Sequence, residues 1–197
     1  MLNFNHSKIL LTLISLNIAP LLSSTHGNSL QNGGFEFGLD LWLVNETMSV
    51  ASPDAAKDGK LGLRVTDQDS SEGSSVYSRS FPIEAGMTAT LTFDARADKK
   101  FLAVYLWPMD ANGKIIRDEN FHGDGLAKAV LQASAPQWQS YSVEQVMPTG
   151  TEAVKIWIHS WSAATGVADI DNVTLTGLGE SVTANETASE GEAANAK

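Results

Sequence analysis

The chain has 197 residues, with 13 Lys and Arg against 23 Asp and Glu, a formal charge of −10 and no cysteine. Neither a disulfide framework nor a cysteine–zinc site is therefore possible. An acidic balance without a basic stripe repels phosphate backbones and excludes nucleic acid as the expected partner.

In chain order, Lys8 precedes an apolar run from Ile9 to Leu22, and the small-residue stretch Ser23-Ser24-Thr25-His26-Gly27 follows. That order predicts a secretory signal over 1–27, cleaved after Gly27, and so a secreted or periplasmic protein. Asn17 and Pro20 interrupt the run, which is shorter than the ~20 residues a membrane span needs. At the other end, residues 179–197 hold four glutamates, one lysine and no aromatic residue. Such a segment cannot bury enough surface to offset its ordering entropy and predicts a disordered acidic tail. Between them, 28–178 is one domain of ordinary size, with a charge near −8 once Lys8 and the tail are set aside.

Within the domain, apolar and polar residues alternate over 61–65, 89–96, 101–107, 153–159 and 168–175, and less regularly over 76–83, 127–132 and 139–146. Turn residues separate these runs at Asp58-Gly59, Glu84-Ala85-Gly86, Asp110-Ala111-Asn112-Gly113 and Pro148-Thr149-Gly150. Asn112-Gly113 suits a tight hairpin. No stretch keeps an apolar period of 3.6 over helical length. The pattern predicts an all-β domain, an antiparallel sandwich or barrel.

Alternate positions on a strand share a face. In the run at 101–107, Leu102, Val104 and Leu106 form an aliphatic face, and Ala103, Tyr105 and Trp107 form the other. In the run at 153–159, Val154, Ile156 and Ile158 stand opposite Lys155, Trp157 and His159, with Trp161 just beyond. In the run at 89–96, Leu91, Phe93 and Ala95 point inward, and Thr92, Asp94 and Arg96 outward. Large rings opposite an aliphatic face mark a binding surface. Flat rings stack on the C–H face of a sugar, and polar side chains at the rim meet its hydroxyls. Tyr105, Trp107, Trp157 and Trp161 are the candidate sugar-stacking rings. The competing expectation is a second core layer, covered by the segment from Arg117 to Lys128. Trp42 and Trp138 fall outside the alternation and read as core plugs.

Five stretches in order resemble the carbohydrate-binding modules of families four, nine and twenty-two. They are Asn32-Gly33-Gly34-Phe35-Glu36 with Gly38-Leu39 and Trp42; residues 58–65; residues 82–96; Trp138-Gln139-Ser140-Tyr141; and Asp169-Ile170-Asp171-Asn172-Val173-Thr174-Leu175. The resemblance implies a galactose-binding-like jelly roll, a two-sheet antiparallel β-sandwich. It also implies a structural calcium with Glu36 and Asp171 as ligands, helped by carbonyls of residues 58–60. Asn172 stands where the family has a second aspartate. In cleft-type members the concave sheet carries the stacking rings, which again points to Tyr105, Trp107, Trp157 and Trp161. Arg96, Asp94 and His159 are then candidate hydrogen-bonding neighbours.

The expected partner is a polysaccharide or oligosaccharide bound by a monomer. The net charge favours a neutral or basic glycan unless Arg96 and Lys155 offset it locally. Two rivals remain open. A glycan-degrading enzyme would need a carboxylate pair or a base near an electrophile, for which Asp94, His159, Arg96 and Asp118-Glu119 are the only candidates. With just His122 and His159 in the domain, a histidine-rich metal site is excluded. A structural or adhesive sandwich would instead turn its rings toward a protein.

Overall fold

The computed structural model describes residues 30–121 and 123–178. The expected signal and acidic tail, and His122, lie outside the described residues. Eleven strands and one 3-10 turn run in the order β1 (Trp42–Val44), β2 (Ser49–Ser52), the turn (Pro53–Ala55), β3 (Gly62–Asp67), β4 (Ser75–Ser78), β5 (Phe81–Pro82), β6 (Thr88–Ala97), β7 (Leu102–Met109), β8 (Lys128–Val130), β9 (Gln139–Val146), β10 (Ala153–Ser160) and β11 (Gly166–Thr176). They form two antiparallel sheets. One has the order β1-β4-β10-β7-β8, with β5 also paired to β10, and the other the order β2-β3-β11-β6-β9. This is the expected sandwich.

Alternation decides the core. Leu102, Val104 and Leu106 of β7 and Val154, Ile156 and Ile158 of β10 are fully buried. They meet Leu91, Phe93 and Ala95 of β6 and Ile170 of β11 from the other sheet within one apolar cluster. Burying each large aliphatic side chain contributes about 1.5–3 kcal/mol. Phe93 also stacks on Tyr141 of β9, 5.1 Å between centroids.

The run at 168–175 is not one uninterrupted alternation. Ala168 and Ile170 face the core, and so do Val173 and Leu175, because a bulge between Asp171 and Thr174 shifts the phase by one residue. Asn172 takes φ = 54° there, a left-handed conformation that asparagine tolerates better than most residues. The short β1 and β2 escaped the sequence pattern. Asp110–Gly113 does close a tight turn, with Gly113 N–H donating to Asp110 O at 2.9 Å and Gly113 at φ = 74°.

The stretch Asn32-Gly33-Gly34-Phe35-Glu36 packs against this bulge. Asn32 holds its own loop together, donating from Nδ2 to Gly38 O (3.1 Å) and Asp40 O (2.7 Å) and accepting from Phe37 N–H (3.0 Å). Phe35 is buried and stacks on Trp42 at 5.1 Å, so Trp42 is the expected core plug. Gly33 O accepts from Val173 N–H at 2.9 Å. A Cβ on Gly33 would lie 1.9 Å from the Val173 carbonyl oxygen. Gly33→Ala therefore has to push the N-terminal loop off the bulge. Overpacking of this kind costs about 1–3 kcal/mol, readable as a lowered urea midpoint, whereas Gly38→Ala, with open space around it, tests only its φ of 66°.

Candidate functional site

The sheet containing β7 and β10 carries the rings. On its outer face one row crosses five strands in register: Leu43 of β1 opposite Tyr77 of β4, Tyr77 opposite Trp157 of β10, Trp157 opposite Tyr105 of β7, and Tyr105 opposite Lys128 of β8. Beside it, Trp107 stands opposite Lys155, and His159 stands between Ser75 and Ala103. The rings touch one another. Trp157 lies 4.7 Å from Trp107, 4.8 Å from Tyr105, 6.0 Å from Tyr77 and 4.1 Å from the His159 imidazole, and Tyr77 lies 5.5 Å from Trp107. Four of these five contacts are stacked rather than edge-on.

Exposure differs within this set. Tyr77, Trp107, Trp157, His159 and Trp161 are half-buried. Tyr105 is only 1% exposed, so it is not open to a ligand as the sequence suggested. Neighbouring rings cover it on the strand side, and Leu126 and Ile115 from the segment after β7 close over it to make a second small apolar cluster with Trp107, Trp157 and Trp161. The expected second core layer thus forms around Tyr105, while the other rings keep partial access. Burial and the charge of Asp124 push the Tyr105 phenol up, against a hydrogen bond involving Trp161. Lys128 Nζ sits 5.3 Å from the Tyr105 ring centroid and 2.6 Å from Asp124 Oδ1.

Tyr77 was missed in the sequence. The signal was present as Val76 and Ser78 buried against Ser75 and Tyr77 outward, but β4 is four residues long and breaks before β5. Tyr77 OH lies 3.4 Å from Ser75 Oγ, which accepts the Trp157 Nε1–H at 3.1 Å.

Asp94 and Arg96 do not join this face. They lie on β6, in the opposite sheet, and their outward side chains emerge on the far side of the sandwich. Arg96 donates from Nε to Asp169 Oδ2 at 2.9 Å and covers the Trp138 ring at 4.9 Å, so Trp138 is an outer-surface ring rather than a core plug. Arg64 donates to the same buried Asp169 through Nε at 2.7 Å and Nη2 at 3.0 Å. Asp94 pairs with Lys57 Nζ at 2.9 Å and accepts from Ser140 Oγ and Asn172 Nδ2. Burial works to raise the Asp94 carboxyl, but those three donors outweigh it and hold it below the ordinary carboxylate range. Face parity was legible from the alternation; sheet membership, which depends on non-local pairing, was not.

Glu36 and Asp171 meet at the sandwich edge. A Cβ on Gly34 would lie 3.6 Å from Asp171 Oδ1 and 3.9 Å from Glu36 Cγ, so the absence of a side chain at Gly34 leaves room between them. Glu36 accepts backbone N–H from Lys60 (2.8 Å) and Leu61 (3.2 Å), and Asp171 Oδ2 accepts from Lys57 (2.8 Å) and Asp58 (3.0 Å). The two carboxylates therefore fasten the 57–61 loop by themselves. Two hard carboxylates are oxygen donors of the kind calcium takes. No group of three or more His, Cys, Asp or Glu with metal-binding geometry occurs among the described residues.

This architecture is that of the β-sandwich carbohydrate-binding modules. The chain belongs to the CBM_4_9 family, described as a carbohydrate binding domain, whose model matches residues 27–165. No curated protein sequence matches the chain. Similar solved structures include a family 16 carbohydrate binding module-2, 19% identical over 74% of this chain and 97% of that one, with a TM-score of 0.54. TmCBM61, solved with β-1,4-galactotriose, is 18% identical over 76% and 97% of the two chains, with a TM-score of 0.52. The enzymatically active domain of bacteriophage CBA120 tailspike protein 4 reaches a TM-score of 0.61 at 17% identity, over 76% of this chain but 21% of that one. At these identities the likeness shows the fold alone.

His159 gives the face a measurable titration. Its Nδ1 lies 2.7 Å from the Ser74 carbonyl, which can only accept, so Nδ1 carries the proton and Nε2 the lone pair in the neutral ring. Burial pulls the imidazole below its ordinary value, against the Ser74 carbonyl and the charge of Asp67. The unfolded chain, near pKa ~6.5, then takes up the proton first. Stability from this residue is present above that value and is lost as pH falls from it through the lower value of the folded state. Denaturant titrations from pH 7.5 to 5 should show a flatter decline in His159→Gln than in wild type.

Proposed function

We propose that this domain is a secreted, non-catalytic module that binds polysaccharide along the ring-bearing outer face of the β1-β4-β10-β7-β8 sheet. The observation that carries the reading is the continuous ladder Tyr77–Trp157–Trp107, half-exposed and already stacked. A sugar ring laid on such a platform gains stacking energy without ordering the side chains beneath it. His159 offers its Nε2 lone pair at one rim and Lys155 its ammonium at the other. Tyr105 and Trp161 act by holding Trp157 and Trp107 in position rather than by direct stacking.

A non-catalytic role is supported by the dispersal of the acid–base candidates. Glycoside hydrolysis needs two carboxyl groups flanking one bond, but Asp94 and Arg96 lie on the sheet opposite His159. Export is supported by the leader-like order of residues 1–27, and N-terminal sequencing of the exported protein should then begin at Asn28.

Affinity electrophoresis through gels containing cellulose derivatives, xylan, β-glucans, alginate and mannans tests the reading. At least one polymer should retard the protein. Retardation should weaken about tenfold in Tyr77→Ala and in Trp107→Ala, each of which stacks on Trp157, with no release of reducing sugar. Unaltered retardation in both variants, or none for wild type, would remove the face from consideration.

We further propose that Glu36 and Asp171 hold a structural calcium, with carbonyls of the 58–60 turn completing its oxygen shell. The ion would supply an electrostatic tie between the N-terminal loop and β11. Saturating calcium should raise the unfolding midpoint over the chelated protein by about 5 °C, and Glu36→Gln should abolish the rise. An identical midpoint in calcium and chelator would dispose of the site.

A further inference from the structure

The two sheets divide the charged residues unequally. The six strands of the ring-bearing sheet contain no Asp or Glu at any position, in a protein with 23 of them. The five strands of the opposite sheet contain Asp67, Asp94, Glu144, Asp169 and Asp171. The cations follow a matching rule. Arg64 and Arg96 are tied to Asp169, and Lys57 to Asp94. On the ring-bearing sheet Lys128 is tied to Asp124, whereas Lys155 has no ion-pair partner among the described residues. Lys155 stands directly opposite Trp107 in register and is half-buried. No carboxylate lies within ion-pair distance of its ammonium among the described residues.

A desolvating site with a cation, no carboxylate in its strands and an adjacent indole complements an anion carried on a flat ring. The overall negative charge does not cancel this. Packed sheets stand roughly 10 Å apart; on the far sheet Asp94 and Asp169 face outward and are paired with Lys57, Arg64 and Arg96, while the inward Asp67 is held by Ser160 Oγ, at the far end of β10 from Lys155. The acidic side chains in the segment beside the rings are mostly engaged locally. Asp124 is held by Lys128, Asp110 by the Asn112 and Lys114 amides, and Asp118 by Asn120. The remaining one, Glu119, is exposed in the same segment as the exposed Arg117.

We infer that the ligand is an anionic glycan whose ring-borne acid group sits on the Lys155 ammonium while its sugar ring stacks on Trp107. This rests on the reading of the ring-bearing face as the binding surface, and it narrows that reading from polysaccharide to acidic polysaccharide. The shared chemistry is a fixed negative charge on a sugar ring, supplied by a uronic acid carboxylate or by a sulfate ester. The candidate pair Arg96 and Lys155 thereby separates: Arg96 is consumed by Asp169 on the far sheet, and Lys155 alone serves the site.

The test is affinity electrophoresis of the full chain in matched gels of polygalacturonate and alginate (uronate), carrageenan (sulfate), and xylan and galactan (neutral). Wild type should be retarded by at least one anionic polymer, and which arm responds identifies the acid group. A protein of net charge −10 has no unspecific attraction to a polyanion. Lys155→Ala should weaken that retardation about fivefold, Lys155→Arg should largely restore it, and raising salt from about 0.05 to 0.5 M should weaken it in wild type but not in Lys155→Ala. Retardation by neutral polymers alone would overturn the inference and leave the face intact. Retardation by an anionic polymer that Lys155→Ala does not change would overturn the assignment to Lys155. Retardation by none of the polymers would overturn both the inference and the reading beneath it.

Discussion

The register between β7 and β10 is held by six aliphatic side chains, Leu102, Val104, Leu106, Val154, Ile156 and Ile158, all without solvent exposure. Their burial leaves Tyr105, Trp107, Trp157 and His159 no choice but the opposite face. A one-residue slip of β10 alone would send Lys155, Trp157 and His159 into the core and Val154, Ile156 and Ile158 to water, at many kcal/mol. The ladder of rings is thus a consequence of core packing. The register also sets spacing: Trp157 is opposite both Tyr77 and Tyr105, so one indole touches rings on either side.

That ladder explains why the rings are half-buried rather than open. Each one shields its neighbours, and Leu126 and Ile115 complete the cover over Tyr105. A fully exposed set of large rings would be costly in water and mobile, and would have to be ordered on binding. A self-stacked set is pre-organised, so less of the gross stacking energy is lost when a ligand arrives. The cost is access: Trp107 Nε1 is buried without a hydrogen-bond partner, a small penalty accepted where the packing of the loop and the ring ladder meet.

How much of this was legible in the sequence depended on how local each feature is. Strand alternation gave the sandwich, the aliphatic faces and the ring-bearing positions of β7 and β10, because side-chain parity is a property of a single strand. It did not reveal which strands share a sheet, and so grouped Asp94 and Arg96 with rings that lie across the core from them. Tyr77 was hidden because β4 and β5 are interrupted too soon for a period to show. The burial of Tyr105 was hidden because it depends on a connecting segment with no repeating pattern. The bulge at Asp171–Thr174 was hinted at by its own residues: Ala168-Ile170 and Val173-Leu175 cannot all face inward in one unbroken alternation.

The two outer faces solve the problem of an exposed sheet in different ways. On the β6–β11 side, charges are matched within the fold: two guanidiniums share the carboxylate of Asp169, and Lys57, Ser140 and Asn172 surround Asp94. Surface pairs add little stability individually, but these leave Lys57, Arg64, Arg96, Asp94 and Asp169 each with a counter-charge, and Arg96 even covers the ring of Trp138. On the β7–β10 side the strands carry rings with one lysine left over. A surface whose polar groups are satisfied internally has little to offer a ligand, whereas stacked rings beside an unpaired ammonium retain both apolar area and charge to share. The asymmetry between the faces, more than the presence of aromatic residues as such, distinguishes the proposed binding side of this sandwich from its other side.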